Sequence, residues 1–419
     1  MLNRRYFLPA LAAASTACTR VRSSSPANRV RIAIMGVRGR GKRLCFDFGR
    51  LPDVQVAALC EVDANVVGPA LGTLRDLRQW PSTVTPDLRR ILDDRGIDAV
   101  VIAAPDHWHA PATILACDAG KDVYVEKPAS HNLREGRLMV EAVRRNRRVV
   151  QLGTQARSRP STREGIEYIR AGRIGRVLMA KAWDVQRRDD IGHKPDAPPP
   201  PGVDYETWTG PAPFLPFNPN RFHYQWHWNW NYGTGDMGND GVHQIDIARW
   251  ALGVDAPGRV TGVGHKLFFN DDQQTPDTMN ITFEYPGGKI LAFEMRIWSP
   301  YGMDGTENGV AVYGSEGMVQ FSGGYEAFDA HGKPVAARRY TRDEHARNFI
   351  DCVRSRRPPN ATIEIGHISS LHAHLGNIVA RTGRTVRFDP QTETIPENPE
   401  ANALLRRTYR DHWSVPKGV

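Results

Sequence analysis

Residues 121–131 read KDVYVEKPASH. Asp122 to Val125 is a short apolar run of the kind that forms a fully buried parallel strand, and it ends abruptly in Glu126, Lys127 and Pro128. Charge therefore arises at the carboxyl end of a strand, the edge of an open α/β sheet beyond which ligands bind. Pro128 restricts the backbone beside Lys127 and admits a cis peptide, so the lysine has a defined direction. Lysine is also scarce: of 55 basic residues only nine are Lys. Unlike arginine, a lysine can give up its proton when burial or a neighbouring cation favours the neutral form.

Outward from this strand the chain alternates between strands and helices. VRIAIMG, from Val30, is followed by VRGRGKRL, which reads as strand, glycine turn and helix start. Gly36, Gly39 and Gly41 let the backbone approach a pyrophosphate held by the helix amides, although Arg38 replaces the usual glycine at the third position of the dinucleotide fingerprint. The strand Val54–Cys60 ends at Glu61, where a carboxylate meets ribose hydroxyls and repels a 2′-phosphate. NAD is thus the expected cofactor, with NADP left open because Arg38 and Arg40 are placed to cradle the extra phosphate. Next come a helix over Asp87–Asp94, a strand over Ala99–Ala104, PDHWHAP, and helices over Pro111–Ala119 and Asn132–Asn146 around the lysine strand. A strand over Val149–Gly153 closes the series. This pattern predicts a Rossmann-type, doubly wound parallel sheet over residues 28–154. Pro105 and His109, with Glu126 and Gln155, fall at strand ends beside the cofactor, and Arg157 beside the substrate. His107 serves equally well as a packing residue.

The second half, 155–419, has a different rhythm. Pro195–Pro219 is too rich in Pro and Gly for regular structure and reads as a covering loop or arm. In RFHYQWHWNWNYGTGDMG, Trp226, Trp228 and Trp230 alternate with polar residues, so an extended segment turns an aromatic face to a sugar. Asn239–Leu252 has helical spacing, placing His243 and Asp246 on one face with Asn239 a turn earlier and Asp236 and Asp240 close by. No ligand-spacing motif assigns a metal to His227, Asp236, His243 and Asp246. Alternating runs at 260–268, 279–284, 290–296, 310–313 and 318–321 predict an antiparallel sheet, followed by helices over 342–354 and 366–381.

The whole chain, 419 residues with net charge +9, is long enough for two domains. Its arginines are scattered over helix surfaces without an aromatic-interleaved basic stripe, so no nucleic-acid partner is expected. Arg4 and Arg5 before the short apolar run Leu8–Ala14 give residues 1–27 the form of a twin-arginine export signal, with no membrane span and a possible lipid anchor at Cys18. The expected location is the periplasm or cell envelope. Cys45, Cys60, Cys117 and Cys352 sit in apolar contexts and read as buried small hydrophobes.

The glycine turn, PDHWHAP, EKP, GNDGVHQID at 238–246 and HARNFIDCVRS at 345–355 together resemble the glucose-fructose oxidoreductase, inositol dehydrogenase and MocA (Gfo/Idh/MocA) family, from Val30 to the end. The resemblance implies a Rossmann domain, a C-terminal α/β domain with a broad, largely antiparallel sheet, and NAD(P)-linked oxidation of a sugar or polyol. It also implies that Lys127 and His243 face the nicotinamide and that the sheet mediates homo-oligomers. Polyol-oxidising relatives have Asp where this chain has Asn239, which cannot accept a proton. On this reading Lys127 binds the reacting oxygen and His243 is assigned its proton, with the choice of formal base between the two left open by the sequence. Export away from the cytoplasmic NAD pool favours a nucleotide held and restored within each cycle. A redox route to glycoside cleavage and a sugar-binding protein without turnover are the alternatives.

Overall fold

The computed structural model describes residues 29–419, so the twin-arginine segment and Cys18 lie outside the described residues. Six strands form the first sheet: β1 (Val30–Met35), β2 (Val54–Cys60), β3 (Thr83–Thr85), β4 (Ala99–Ile102), β5 (Asp122–Val125) and β6 (Val150–Leu152). They are parallel throughout and ordered β3-β2-β1-β4-β5-β6. The reversal between β1 and β4 opens the crevice in which such sheets bind ligands. Helices α1 (Gly39–Gly49), α2 (Val67–Asp76), α3 (Leu88–Asp93), α4 (Asp106–Asp118) and α5 (Leu133–Asn146) connect them. Covered on both faces, β1, β4 and β5 are apolar along almost their whole length. The parallel sheet predicted from the alternation of elements is therefore observed, with the three-residue edge strand β3 added to the five expected.

One boundary moves for a physical reason. The helix expected to begin at Pro111 begins at Asp106, with Pro105 as its cap and Pro111 inside it. His107 and His109 thus stand on the first turns of α4, both buried.

The second sheet has nine strands, ordered β14-β13-β12-β11-β7-β10-β9-β8-β15. These are β7 (Val177–Asp184), β8 (Arg259–His265), β9 (Thr278–Glu284), β10 (Ile290–Arg296), β11 (Asn308–Gly314), β12 (Gly317–Phe321), β13 (Tyr325–Asp329), β14 (Pro334–Arg338) and β15 (Val386–Arg387). All neighbours are antiparallel except β7 and β10. Four of them, β7, β13, β14 and β15, were not among the expected strands. Helices α6 (Pro160–Arg170), α7 (Tyr205–Thr209), α8 (Val242–Leu252), α9 (His345–Ser355) and α10 (Ile363–Thr382) complete the chain's main elements. α8 and α10 bury one face of the sheet in a core that includes Ile245, Ala248, Phe293, Val310 and Leu371.

The two halves are interlocked. Phe349, Ile350 and Cys352 of α9 join the core beneath β1 and β2, while Ala361 and Ile363 join the core on the other face of that sheet. The four described cysteines are buried and unpaired. Among the described residues no helix is long and apolar enough to cross a membrane.

Several buried histidines set the acid limit of this fold. Burial pulls His107, His372 and His374 down to about 3 each. Below the ordinary imidazole value of about 6.5, the unfolded chain takes up protons that the folded chain refuses, so stability falls as pH drops. Denaturant melts should give constant stability above about pH 7 and a steepening loss from about pH 6 to pH 3; a flat profile would contradict the buried neutral rings.

Candidate active site

A cleft of about 450 Å³ opens at the carboxyl ends of β1, β2, β4 and β5, roofed by the second half of the chain. Its floor is the glycine turn. Gly36 has φ +78°, and a Cβ there would lie 2.6 Å from the Ala103 carbonyl oxygen. A Cβ on Gly41 would lie 1.8 Å from the Gly36 carbonyl oxygen, so Gly41 tightens the turn from behind while Gly36, Arg38, Gly39 and Arg40 line the cleft. No side chain caps α1, which leaves its first amides and the positive end of its dipole for a pyrophosphate. Glu61 stands beside this turn. Its carboxylate accepts from the amides of Val37 (2.8 Å), Val62 (2.9 Å) and Asp63 (3.0 Å), so the acid expected to meet the ribose is fixed to the glycine turn. These features fit a dinucleotide.

At the inner end, Lys127 leaves a cis Lys127–Pro128 peptide and donates to both oxygens of Asn239, the backbone carbonyl at 2.6 Å and Oδ1 at 2.7 Å. His109 fixes the proline. It reaches the Pro128 carbonyl from Nδ1 (2.6 Å) and the Ala104 carbonyl from Nε2 (2.8 Å). Burial holds this ring neutral, with one N–H, so only one of the two bonds is donated at a time. Glu126 is buried, yet Arg40 at 2.7 Å and the nearby Lys127 outweigh the cost of burial and keep its carboxyl below the usual range. Tyr124 and Gln155 also donate to it, at 3.1 and 3.2 Å. Pro105 closes this side.

Asn239 lies in a π-helical turn, Met237–Gly241, that precedes α8; the expected single helix from Asn239 is broken there. The extra residue per turn aims Asn239 at Lys127 and leaves Asp240 and His243 also lining the cleft. Asn239 Nδ2 donates to Asp236 at 2.8 Å, and Asp236 is clamped by Arg188 through two 3.0 Å bonds. The amide is thus required by its surroundings: one end accepts from a lysine and the other donates to a carboxylate. Burial, and secondarily Lys127, pulls His243 down to about 4, so its ring is neutral near pH 7, with a lone pair free to meet a proton. Burial opposes ionisation of Asp240, but Lys127, Arg188 and His243 bring it down to about 2. That makes it a fixed anion rather than a proton carrier.

Several expected substrate residues are elsewhere. Arg157 is buried in a two-bond ion pair with Asp246 (2.8 Å each) and stacks on Trp250, joining α6's lead-in to α8. Removing one partner of such a pair costs about 3–5 kcal/mol, so Arg157 and Asp246 are scaffold. Asp236 is wholly buried and acts only through Asn239. The tryptophan segment is not extended: His223–Trp228 forms a 3-10 turn. Its three-residue period sends Trp226 to the cleft, stacked on His227 with centroids 3.6 Å apart, and Trp228 into the core of the second domain. Trp230 faces a different cavity. Residues not singled out as substrate or cofactor contacts also line the cleft: Tyr224, His223, Trp208 and the tail residue Trp413. Tyr224 and His223 lie within the aromatic motif, whereas nothing in the sequence marks Trp413. The carboxylates of Asp184, Asp236 and Asp240 come within 4.8 Å of one another, the only group of metal-ligating type among the described residues, but Arg188 pairs with Asp236 and Asp240 in their midst.

Residues 30–154 match the family profile "Oxidoreductase family, NAD-binding Rossmann fold", and residues 183–415 match "Oxidoreductase family, C-terminal alpha/beta domain". The chain belongs to the Gfo/Idh/MocA oxidoreductase family. Levoglucosan dehydrogenase of Pseudarthrobacter phenanthrenivorans is 30% identical over 169 residues, 40% of this chain and 36% of that protein. The chain thus spans about a third of that relative. The scyllo-inositol 2-dehydrogenase (NAD(+)) of Bacillus subtilis is 27% identical over 299 residues, 70% of this chain and 73% of that one. A glycosyl hydrolase family 109 protein of Stenotrophomonas maltophilia is 33% identical over 142 residues, 32% and 31% of the two chains. Among solved structures, levoglucosan dehydrogenase in complex with NADH and levoglucosan superposes with a TM-score of 0.66 at 19% identity, covering 85% of this chain and 99% of the other. Aldose-aldose oxidoreductase from Caulobacter crescentus, complexed with glycerol, gives 0.65 at 20% identity, covering 86% and 100%. The cofactor of the family profile is NAD, in agreement with Glu61.

Asn239→Asp should place two carboxylates 2.8 Å apart, a pair that must share a proton. Turnover is expected to fall by about tenfold to a hundredfold near neutral pH and to recover in part on acidification. An unchanged rate with a flat pH profile would show that the amide is not needed.

Proposed function

We propose that the protein oxidises a secondary alcohol of a sugar, polyol or glycoside with NAD. The observation that carries this is the juxtaposition of Lys127, held by Asn239, with a neutral His243 at the inner end of the dinucleotide cleft. NAD, when bound, supplies the hydride acceptor. Lys127 binds the reacting oxygen and stabilises its developing negative charge, and His243 receives the hydroxyl proton. Trp226 and Tyr224, with His227 between them, offer rings and polar edges to the remaining substrate hydroxyls. Names of relatives such as levoglucosan and inositol dehydrogenases support the substrate class.

We further infer that the cofactor stays bound and is restored within each cycle. The arm before α7 pairs with the loop after β2: Asp63 bridges Val203, Ala64 N–H donates to Gly202 (2.9 Å) and Asp204 N–H to Val62 (2.8 Å). The Trp208 carbonyl accepts from the rings of His107 and Trp108, both at 2.9 Å. The C-terminal tail fastens this arm through Arg410 and lays Trp413 against Trp108. A nucleotide under this cover leaves slowly. That suits a protein exported by the twin-arginine route to the periplasm or cell envelope, where no NAD pool refreshes it.

A second reading, cleavage of a glycoside by transient oxidation and return, is favoured by the family 109 glycosyl hydrolases among its relatives. We also propose a homo-oligomer built on the sheet face opposite α8. Thr261, Thr282, Ala292 and Lys181 stand in register across it, half-exposed.

Protein recovered from the envelope fraction of expressing cells should release about one NAD per chain on denaturation. Lys127→Ala should keep the nucleotide and lose at least a hundredfold in sugar oxidation. A parent protein empty of nucleotide and unable to bind it would leave a sugar-binding role instead.

A further inference from the structure

Behind the Lys127–Pro128 turn, on the side away from the cofactor cleft, lies a second cavity of about 470 Å³. It is enclosed by the loop after β5, the segment around Trp230, helix α10 and the tail near residue 407. Two kinds of group meet there. Arg381, Arg406 and Arg407 line it, and no Asp or Glu does. Arg381 lies over the Trp230 ring at 5.0 Å and has no ion-pair partner among the described residues. Arg407 is held in place by donating to the Asn231 carbonyl at 3.0 Å, which leaves other N–H groups to spare.

The other kind is the buried acceptor without a donor. Asn377 is 6% exposed; its Nδ2 donates to the Thr234 carbonyl at 2.7 Å, which fixes the amide and leaves Oδ1 with no partner. His131 Nε2 donates to the Trp230 carbonyl at 3.0 Å, so Nδ1 is the lone-pair nitrogen, and it too is buried without a partner. Leaving such groups unsatisfied in the folded chain is costly. Burial keeps His131 and the adjacent His374 neutral, so neither adds to the positive charge.

Unpaired guanidinium groups call for an oxyanion, and unpaired acceptors call for hydroxyl donors. We propose that this cavity binds a small hydroxylated oxyanion, a sugar acid or a sugar phosphate, with the arginines on its charged group and Asn377 and His131 accepting from its hydroxyls. The site is separate from the cofactor cleft, and the two share no lining residue.

Calorimetric titration of the full chain with D-galactonate, inorganic phosphate and neutral galactitol tests this. At least one anion should bind saturably, galactonate at least tenfold more tightly than galactitol if the ligand is a sugar acid. Arg381→Leu should weaken the bound anion at least tenfold while nucleotide content stays at the parent level. Arg406→Gln, at an exposed position, serves the same purpose if Arg381→Leu folds poorly. Asn377→Leu should weaken galactonate but not phosphate. Heat from phosphate alone, lost in Arg381→Leu, would support the site and assign the phosphate class. No saturable heat from either anion would overturn the proposal, as would binding that survives the arginine variants or is lost only in Lys127→Ala.

Discussion

The contact between Lys127 and Asn239 joins the two halves of the molecule at the point where chemistry is expected. Lys127 comes from the end of a buried parallel strand, and Asn239 from a π-helical turn more than a hundred residues later. An ammonium in this position needs acceptors, and it takes both oxygens of one residue. The arrangement fixes the lysine without a salt bridge among the described residues. It leaves the third N–H of the ammonium for a substrate oxygen.

Behind that contact lies a concentration of buried charge. Asp184, Asp236 and Asp240 crowd around Arg188, and burial together with its acidic neighbours pushes the Asp184 carboxyl well above the usual range. One guanidinium cannot neutralise three carboxylates, and burial raises Asp236 as well as Asp184. The remaining charges are balanced by Arg188 and, for Asp240, by Lys127. A similar balance operates on the other side, where Arg40 of the glycine turn pairs with Glu126 of the lysine strand. The glycine turn and the lysine strand are thereby tied to one carboxylate.

Much of this was legible because the first domain obeys local rules. Parallel strands buried on both faces read as apolar runs, and the glycine turn, Glu61 and EKP follow them at fixed offsets. The second domain was harder. β7 is a short stretch, VLMAKAWD, whose Lys181 interrupts the apolar residues and leaves no clean strand period, and β13 and β14 are five residues each and partly exposed. The tryptophans misled because alternation identifies a face only if the backbone is extended: a 3-10 turn sends Trp226 to the cleft and Trp228 to the core, while Trp230, beyond it, meets the second cavity. Arg157 could not be recognised as scaffold, since its partner Asp246 lies 89 residues away.

The sequence by itself determined the Rossmann sheet, the NAD-type acid at Glu61, and the residue types of the reacting end, because each depends on spacing within one strand–turn–helix unit. Tertiary structure alone decided why position 239 is Asn rather than Asp: Asp236, clamped by Arg188, stands behind it and requires a donor. It alone decided the neutrality of His243, which follows from burial and from Lys127 beside it. It also decided the cover over the cofactor cleft, where an arm and a tail two hundred residues apart meet on the same carbonyl-lined edge. Such properties are set by what lies across a gap in space, and no period along the chain records that.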